Sequence, residues 1–366
     1  MMEYIYFRRV AKIVIFVLKP ALFIFSIIYL LSLMFRHIFY KFGIFKSFRL
    51  DTKVISVGNI TLGGTGKTPL TIILADFFKK SGKRIVISTR GYGGDYVKKG
   101  IILDINTLKN KEEQNFLGDE IYLFNSYLKE VPIFVGKDRV RIIKEAFKKE
   151  KPDILILDDG FQHIRLKRDL DIVAINGLNP FGNNGLIPYG VLREPLSSLR
   201  RADIIVISKA DLTGGLTWLK NFLKGLNPNA LIACCQYSLR GLYEFGKEEK
   251  IDISTLKDKD IATVCAIGDP ISFEKLLNKN GIKIKIYKRF LDHHRFNTCE
   301  IREFISICLK ESIDIAITTE KDIFRLRDFL GIFDKANIKP LFTEIALEFT
   351  ENSEAFFERV SSLFSN

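Results

Sequence analysis

From Lys53 onward, short β-branched runs alternate with amphipathic stretches. This pattern of strand–helix–strand units predicts an α/β fold, a mostly parallel sheet with helices on both faces. The expected strands are Val54 to Val57, Arg84 to Ser88, Ile133 to Val135, Ile154 to Leu157, Asp171 to Ile175 and Ile204 to Ile207. A later set follows at Ile261 to Ala266, Ile282 to Tyr287, Ile313 to Thr318 and Pro340 to Ile345. Between the sets lie the Gly214-Gly215 break and a less regular region around Arg240 to Lys257, so a boundary is placed near residue 212. The chain then divides into an N-terminal segment (1–50), a first α/β domain (51–212) and a second, smaller α/β lobe (213–366), which could return a helix to the first.

Upstream, Ile13 to Phe35 is almost wholly apolar, broken by Lys19, Pro20 and small polar residues. Arg8, Arg9 and Lys12 precede it, and Arg36, Lys41, Lys46 and Arg49 follow. A spanning helix needs about 20 apolar residues. The uncharged part, Pro20 to Phe35, is a little short, so the segment either spans with Lys19 snorkelling or lies in the interface, and a one-sided anchor is expected. Met34-Phe35-Arg36-His37 provides no small-x-small signal cleavage site. A buried core helix is the alternative, but basic flanks suit anionic headgroups better than a protein interior. Positive charge on both sides leaves a spanning orientation open.

Composition narrows the classes. With 366 residues, 47% hydrophobic and 27% charged, disorder of the whole chain is excluded. A net charge of +13 calls for something anionic: nucleic acid, a membrane face or phosphate-bearing substrates. No helix-turn-helix, zinc finger or aromatic-basic RNA motif is evident, so nucleic acid is not the expected partner. The cysteines (Cys234, Cys235, Cys265, Cys299, Cys308) have no zinc or disulfide spacing, which fits a reducing compartment.

Thr61-Leu62-Gly63-Gly64-Thr65-Gly66-Lys67-Thr68 follows the strand at Val54 and opens a helix through Leu70, Ile73, Leu74 and Phe77. Strand, glycine loop and helix in that order form a phosphate-binding loop. Its N–H groups converge on phosphate oxygens, Lys67 reaches the terminal phosphates and the Thr68 hydroxyl can ligate Mg²⁺. Thr61 stands where the usual pattern has its first glycine. Ile154 to Leu157 runs into Asp158-Asp159-Gly160-Phe161-Gln162-His163, an apolar strand ending in carboxylates that can hold Mg²⁺ directly or through water, or an ordinary acidic turn.

Asp119 and Glu120, after Gly118, either cap a helix or divide the work of accepting a proton and arranging the metal. Asp292-His293-His294 is poorly spaced for zinc and better suited to acid–base chemistry. Arg90, Arg139 and Arg193 are surface charges or phosphate ligands. Ser208-Lys209-Ala210-Asp211 imitates the guanine-reading motif of GTPases and keeps GTP as an alternative.

Together these residues resemble the tetraacyldisaccharide 4′-kinase family, membrane-bound P-loop kinases of lipid A biosynthesis. The resemblance runs from Ser56-Val57-Gly58-Asn59 through Pro69, then Ser88-Thr89-Arg90-Gly91-Tyr92-Gly93, Gly118-Asp119-Glu120, Leu157 to His163 and Arg168-Asp169-Leu170-Asp171. Leu186-Ile187-Pro188-Tyr189-Gly190, Leu192-Arg193-Glu194-Pro195, Phe290 to His294 and Thr318-Thr319-Glu320-Lys321-Asp322 complete it. Thr61 in the loop is itself similar to the family, whereas Ile187 to Val191 replaces its usual Leu-Pro-Ala-Gly-Pro.

The resemblance implies transfer of the ATP γ-phosphate, with Mg²⁺, to the 4′-hydroxyl of a tetraacylated disaccharide 1-phosphate at the cytoplasmic face of the inner membrane. It implies that Asp119 and His293 activate the hydroxyl, that Glu120 organises Mg²⁺, and that Thr68, Asp158 and Asp159 belong to its coordination sphere. Lys67, Arg90 and Arg139 would handle phosphate, and Arg193 and Glu194 would face the sugar. The expected partners are this acceptor and an anionic lipid surface, without an obligate protein partner. Asp119 and His293 lie in different lobes, so the lobes are expected to close over nucleotide. A membrane-associated GTPase or ATPase switch is the competing reading.

Overall fold

The structure is a computed structural model that describes residues 2–91, 119–136, 138–148, 151–247 and 249–365. Side chains are described from residue 18, except at Asp119 and Ala146. Tyr92 to Gly94, Gly118 and Lys137 lie outside the described residues, as does the Asp119 side chain.

The chain opens with helix α1 (Met2–Lys41). Its Leu18–Lys41 part has a mean hydropathy of 2.0 and is long and apolar enough to cross a membrane. Buried β-branched runs then form β1 (Lys53–Gly58), β2 (Ile85–Thr89), β3 (Ile133–Val135), β4 (Ile154–Asp158), β5 (Leu170–Asn176) and β6 (Ile204–Ser208). Helices α2 (Lys67–Lys80), α3 (Asp119–Tyr127) and α4 (Arg139–Ala146) lie among them, and α5 (Thr217–Leu226) follows. The later elements are β7 (Leu231–Glu244), β8 (Lys250–Ile251), β9 (Ile261–Cys265), α6 (Pro270–Lys279), β10 (Ile284–Arg289), α7 (Thr298–Lys310), β11 (Ile315–Thr319), β12 (Lys339–Glu351) and α8 (Ser353–Ser361).

Among the described residues the strands form one sheet, ordered β10-β9-β11-β12-β7-β6-β5-β1-β4-β2-β3, with β8 beside β7. β1 lies between β4 and β5 and is parallel to both, which brings the ends of Val57 and Asp158 to the same edge. The sheet is parallel except where β12 and β8 run antiparallel to β7. β7 begins beside β6, at Ile204↔Leu231, and ends beside Leu341, so the β7–β12 ribbon continues the sheet from β6 to β11. Residue 212 falls in the short helical turn Ala210–Leu212 between β6 and β7.

The pattern-based reading did not identify β7. Its first half is buried and its second alternates irregularly around Arg240 and Gly241, where the pairing with β12 shifts register. A strand that leaves one buried sheet and enters a half-exposed ribbon has no single period.

The first lobe has a core on each face of its sheet. One contains Leu70, Leu74 and Phe78 of α2 together with Phe356 and Val360 of α8, and the other contains Phe161, Leu199 and Leu219. Phe357 of α8 packs on Phe77 of α2 with ring centroids 4.7 Å apart. Cys234, Cys235, Cys265 and Cys308 are buried, and no cysteine is disulfide-bonded.

Candidate active site

At the carboxyl edge of the sheet lies a cavity of about 960 Å³, walled by the first lobe, the second lobe and α1. Leu62 to Thr68 form its floor. Gly66 caps α2 at φ 90°, and a Cβ there would stand 2.7 Å from the Tyr237 hydroxyl, so the turn requires glycine. The loop is tied from beneath: Asn59 Nδ2 donates to Thr65 Oγ1 at 3.0 Å and Ser208 Oγ to the Thr65 carbonyl at 3.0 Å. Thr61 is buried and bridges to Leu192, and the cavity wall begins one residue later.

The adjacent carboxylates have different environments. Asp158 is fully buried, accepts from Thr71 Oγ1 (3.2 Å) and Thr89 Oγ1 (3.3 Å), and is not among the cavity-lining residues. Burial and the neighbouring Asp159 raise its pKa. Asp159 reaches the cavity with a left-handed backbone, φ 49°. Both its oxygens accept from Arg193 Nη1 at 2.8 and 2.9 Å, and Lys67 Nζ stands 3.7 Å away. Burial alone would raise its pKa, but Lys67, Arg193 and Arg139 hold it down at about 2.

Arg139 is buried behind this pair, donating to the carbonyls of Asp158 (2.7 Å) and Asp159 (3.4 Å), and is not among the lining residues. Arg90 and Glu120 do line the cavity, and Asp119 is the first residue of α3, immediately before Glu120.

The opposite wall belongs to the second lobe. His293 lines it with φ 62°, its N–H donating to the Ala266 carbonyl at 3.2 Å and its Nε2 lying 3.7 Å from Asp292 Oδ2. Three non-glycine cavity residues with left-handed backbones, Asp159, Lys209 and His293, therefore face one space. His294 is outside that wall: its ring stacks on Phe290 and its Nε2 is 2.9 Å from Glu300.

The third wall is α1. Ser26 donates to the Leu186 carbonyl (2.9 Å), Tyr29 to the Arg193 carbonyl (2.8 Å), and Arg36 to the Gln162 carbonyl. Tyr29, Leu33 and Arg36 reach the cavity, while Phe23, Ile24, Phe25, Ile28 and Phe35 stay exposed on the remaining faces. His37 is 3.6 Å from Glu194, which is buried, also paired with Arg201 at 2.8 Å, and not among the lining residues. Burial would raise the Glu194 pKa, but His37 and Arg201 pull it to about 2.

Sequence reasoning missed Gln162 as a wall residue, the contributions of α1, and the whole Ile267–Asp269 turn. The last carried a readable signal, a strand followed by Gly-Asp-Pro, since Asp then caps a helix with Pro at its first position. The Ser208–Asp211 motif also borders this cavity: Lys209 and Asp211 line it, and Asp211 Oδ2 is paired with Lys279 at 2.8 Å while its Oδ1 is buried without a hydrogen-bond partner among the described residues.

The sequence matches the family described as Tetraacyldisaccharide-1-P 4′-kinase over residues 18–364. It is 38% identical to the tetraacyldisaccharide 4′-kinase of Halothermothrix orenii over 89% of this chain and 87% of that one. It is 35% identical to that of Syntrophus aciditrophicus over 83% of each. Its fold is similar to the crystal structure of LpxK from Aquifex aeolicus in complex with ATP, with a TM-score of 0.69 and 29% identity over 95% of this chain and 99% of that one. The chain belongs to the tetraacyldisaccharide-1-phosphate 4′-kinase family.

Proposed function

We propose that the cavity transfers the γ-phosphoryl group of ATP to the 4′-hydroxyl of a tetraacylated disaccharide 1-phosphate held at a membrane surface. The observation that carries this reading is the meeting, in one cavity, of a phosphate loop, acidic groups, His293 and the inner face of an apolar helix. A water-hydrolysing switch has no use for the third wall, the inner face of α1.

Leu62 to Gly66 would cradle the phosphates and Lys67 would neutralise the γ-phosphoryl charge as it builds. Thr68, Asp159 and Glu120 offer the oxygen ligands that suit Mg²⁺, which takes few protein ligands besides phosphate and water; Asp158 would support from behind. Mg²⁺ would supply charge neutralisation between the phosphates. Asp119 and His293 would take the proton from the acceptor hydroxyl as its oxygen bonds to the γ-phosphorus and the bond to the β–γ bridging oxygen breaks, leaving ADP. Arg90 would meet phosphate, Arg193 would present Asp159 and face the sugar with Glu194 beside it, and Arg139 would fix the Asp158–Asp159 turn.

The polar stripe of α1, Ser26, Tyr29, Arg36 and His37, is docked on the body. The outward apolar residues would then lie in lipid and α1 would be interfacial, at the cytoplasmic face of the inner membrane. The 51–212 and 213–366 parts would act as lobes closing on nucleotide.

In mixed micelles with ATP, Mg²⁺ and tetraacyldisaccharide 1-phosphate, the product should gain one phosphate, placed by phosphorus–proton NMR on the 4′ oxygen. No such product from folded, ATP-binding protein would overturn the reading.

A further inference from the structure

We propose that the second-lobe turn Ile267–Asp269 is a positioning element for the transfer, with Asp269 the positioning residue that holds His293 in register with the phosphate loop. The inference rests on the kinase reading above and deepens it.

The turn joins β9 to α6 and meets three structures at once. Asp269 caps α6, accepting from Ser272 N at 3.2 Å and Ser272 Oγ at 2.6 Å. It is also gripped by the first lobe: Asn176 Nδ2 donates to it at 2.8 Å, and the Lys209 ammonium pairs with it while donating to the Gly64 carbonyl at 3.0 Å. The Lys209 side chain is only 4% exposed, so Asp269 is what compensates a buried charge directly under the phosphate loop. This gives the Ser208–Asp211 motif a task unrelated to guanine.

Gly268 is the point of closest approach. A Cβ there would lie 2.6 Å from Gly64 N and 3.1 Å from Gly63 C on one side, and 2.8 Å from Asp292 Oδ2 on the other. Only a residue without a side chain lets the phosphate loop and the His293 loop pack on the same backbone atoms. The preceding residues complete the link, because the carbonyls of Cys265 and Ala266 accept from Phe290 N (2.9 Å) and His293 N (3.2 Å). Phosphate loop, lobe joint and His293 are thereby fixed to one short segment. In a reaction driven by positioning, a displacement of about 1 Å costs about 10²-fold in rate. Asp269 acts through Gly268 and His293 rather than on the reacting atoms.

The test uses the full chain in the lipid-dependent transfer assay. Asp269→Asn preserves size and helix cap but removes the charge that holds Lys209. It should lower kcat about 10²-fold with KM for ATP near the parental value. His293→Ala should cost far less in that background than in the parent, since residues acting on one geometry are not additive. Because an unpaired Lys209 can unfold the chain, Gly268→Ala is the second variant: it leaves every charge in place and inserts only a methyl between Gly64 and Asp292. It should reproduce both the kcat loss and the non-additivity. Parental kcat in a folded variant, a change confined to KM for ATP, or full additivity with His293→Ala would each overturn the proposal. A parent chain without lipid-dependent transfer would instead overturn the function reading, so the two failures are distinguishable.

Discussion

Every residue of β4 beneath the cavity is buried, whereas β10, which leads to the opposite wall, is buried only at Ile284, alternates half-buried with exposed positions after it and ends near Leu291, 84% exposed. The floor is fixed from inside, by Asn59 and Ser208 on Thr65 and by Arg139 on the carbonyls of Asp158 and Asp159. The roof meets the floor through edge contacts: Lys209 with Asp269, Tyr127 with Glu320 at 2.8 Å, and Tyr122 against Phe324. Buried hydrogen bonds in a low-dielectric interior hold phosphate ligands in constant geometry. On the proposed function the labour would be separated: nucleotide handling would belong to the floor, and activation of the acceptor would require the two sides to meet.

The strongest break of this division removes the proposed base. Asp119→Ala should lower turnover by about 10² to 10⁴-fold with nucleotide affinity near the parental value; full turnover would remove Asp119 from the mechanism. Lys67→Ala attacks the floor and should reduce kcat/KM for ATP by about 10² to 10³-fold, seen in initial rates at varied ATP. Arg139→Met should leave the Asp158 carbonyl without that donor and cost about 1–3 kcal/mol in urea unfolding.

The smallest effect concerns the roof contact. Burial pushes Glu320 from its ordinary 4.5 up to about 7, against the Tyr127 hydrogen bond and with help from Glu344. Between those values the unfolded chain has lost a proton that the folded chain keeps, so this group's contribution to stability falls as pH rises from 4.5 to 7 and is level above. Glu320→Gln should therefore gain on the parent across that window, measured by urea unfolding at pH 5 and pH 8; a constant difference would contradict the assignment. Labels on the two lobes should also approach when an ATP analogue and Mg²⁺ are added, and unchanged distances would remove closure.

The floor was legible because its chemistry is local. Gly63 to Thr68 follows a strand and opens a helix, and Asp158-Asp159 ends the neighbouring strand, so sequence order alone places both at one sheet edge. The roof was legible at Asp292-His293-His294 and, through the resemblance, at Thr318 to Asp322, and spacing alone did not rank the two imidazoles because their difference depends on Glu300 and Phe290. Gly268 was not visible because its reason is a contact with Gly64, distant in sequence. The inner stripe of α1 was hidden within a strongly apolar segment, since Ser26, Tyr29 and Arg36 have meaning only against Leu186, Arg193 and Gln162. β7 escaped because its burial pattern changes partway along.

The most direct measurement is the fate of the γ-phosphate. The full chain in mixed micelles is given γ-labelled ATP or GTP with Mg²⁺, with and without tetraacyldisaccharide 1-phosphate, and label is divided between lipid and free phosphate. The account expects label in lipid, dependent on acceptor and favouring ATP. Phosphate released at the same rate with or without acceptor, and no labelled lipid, would contradict it.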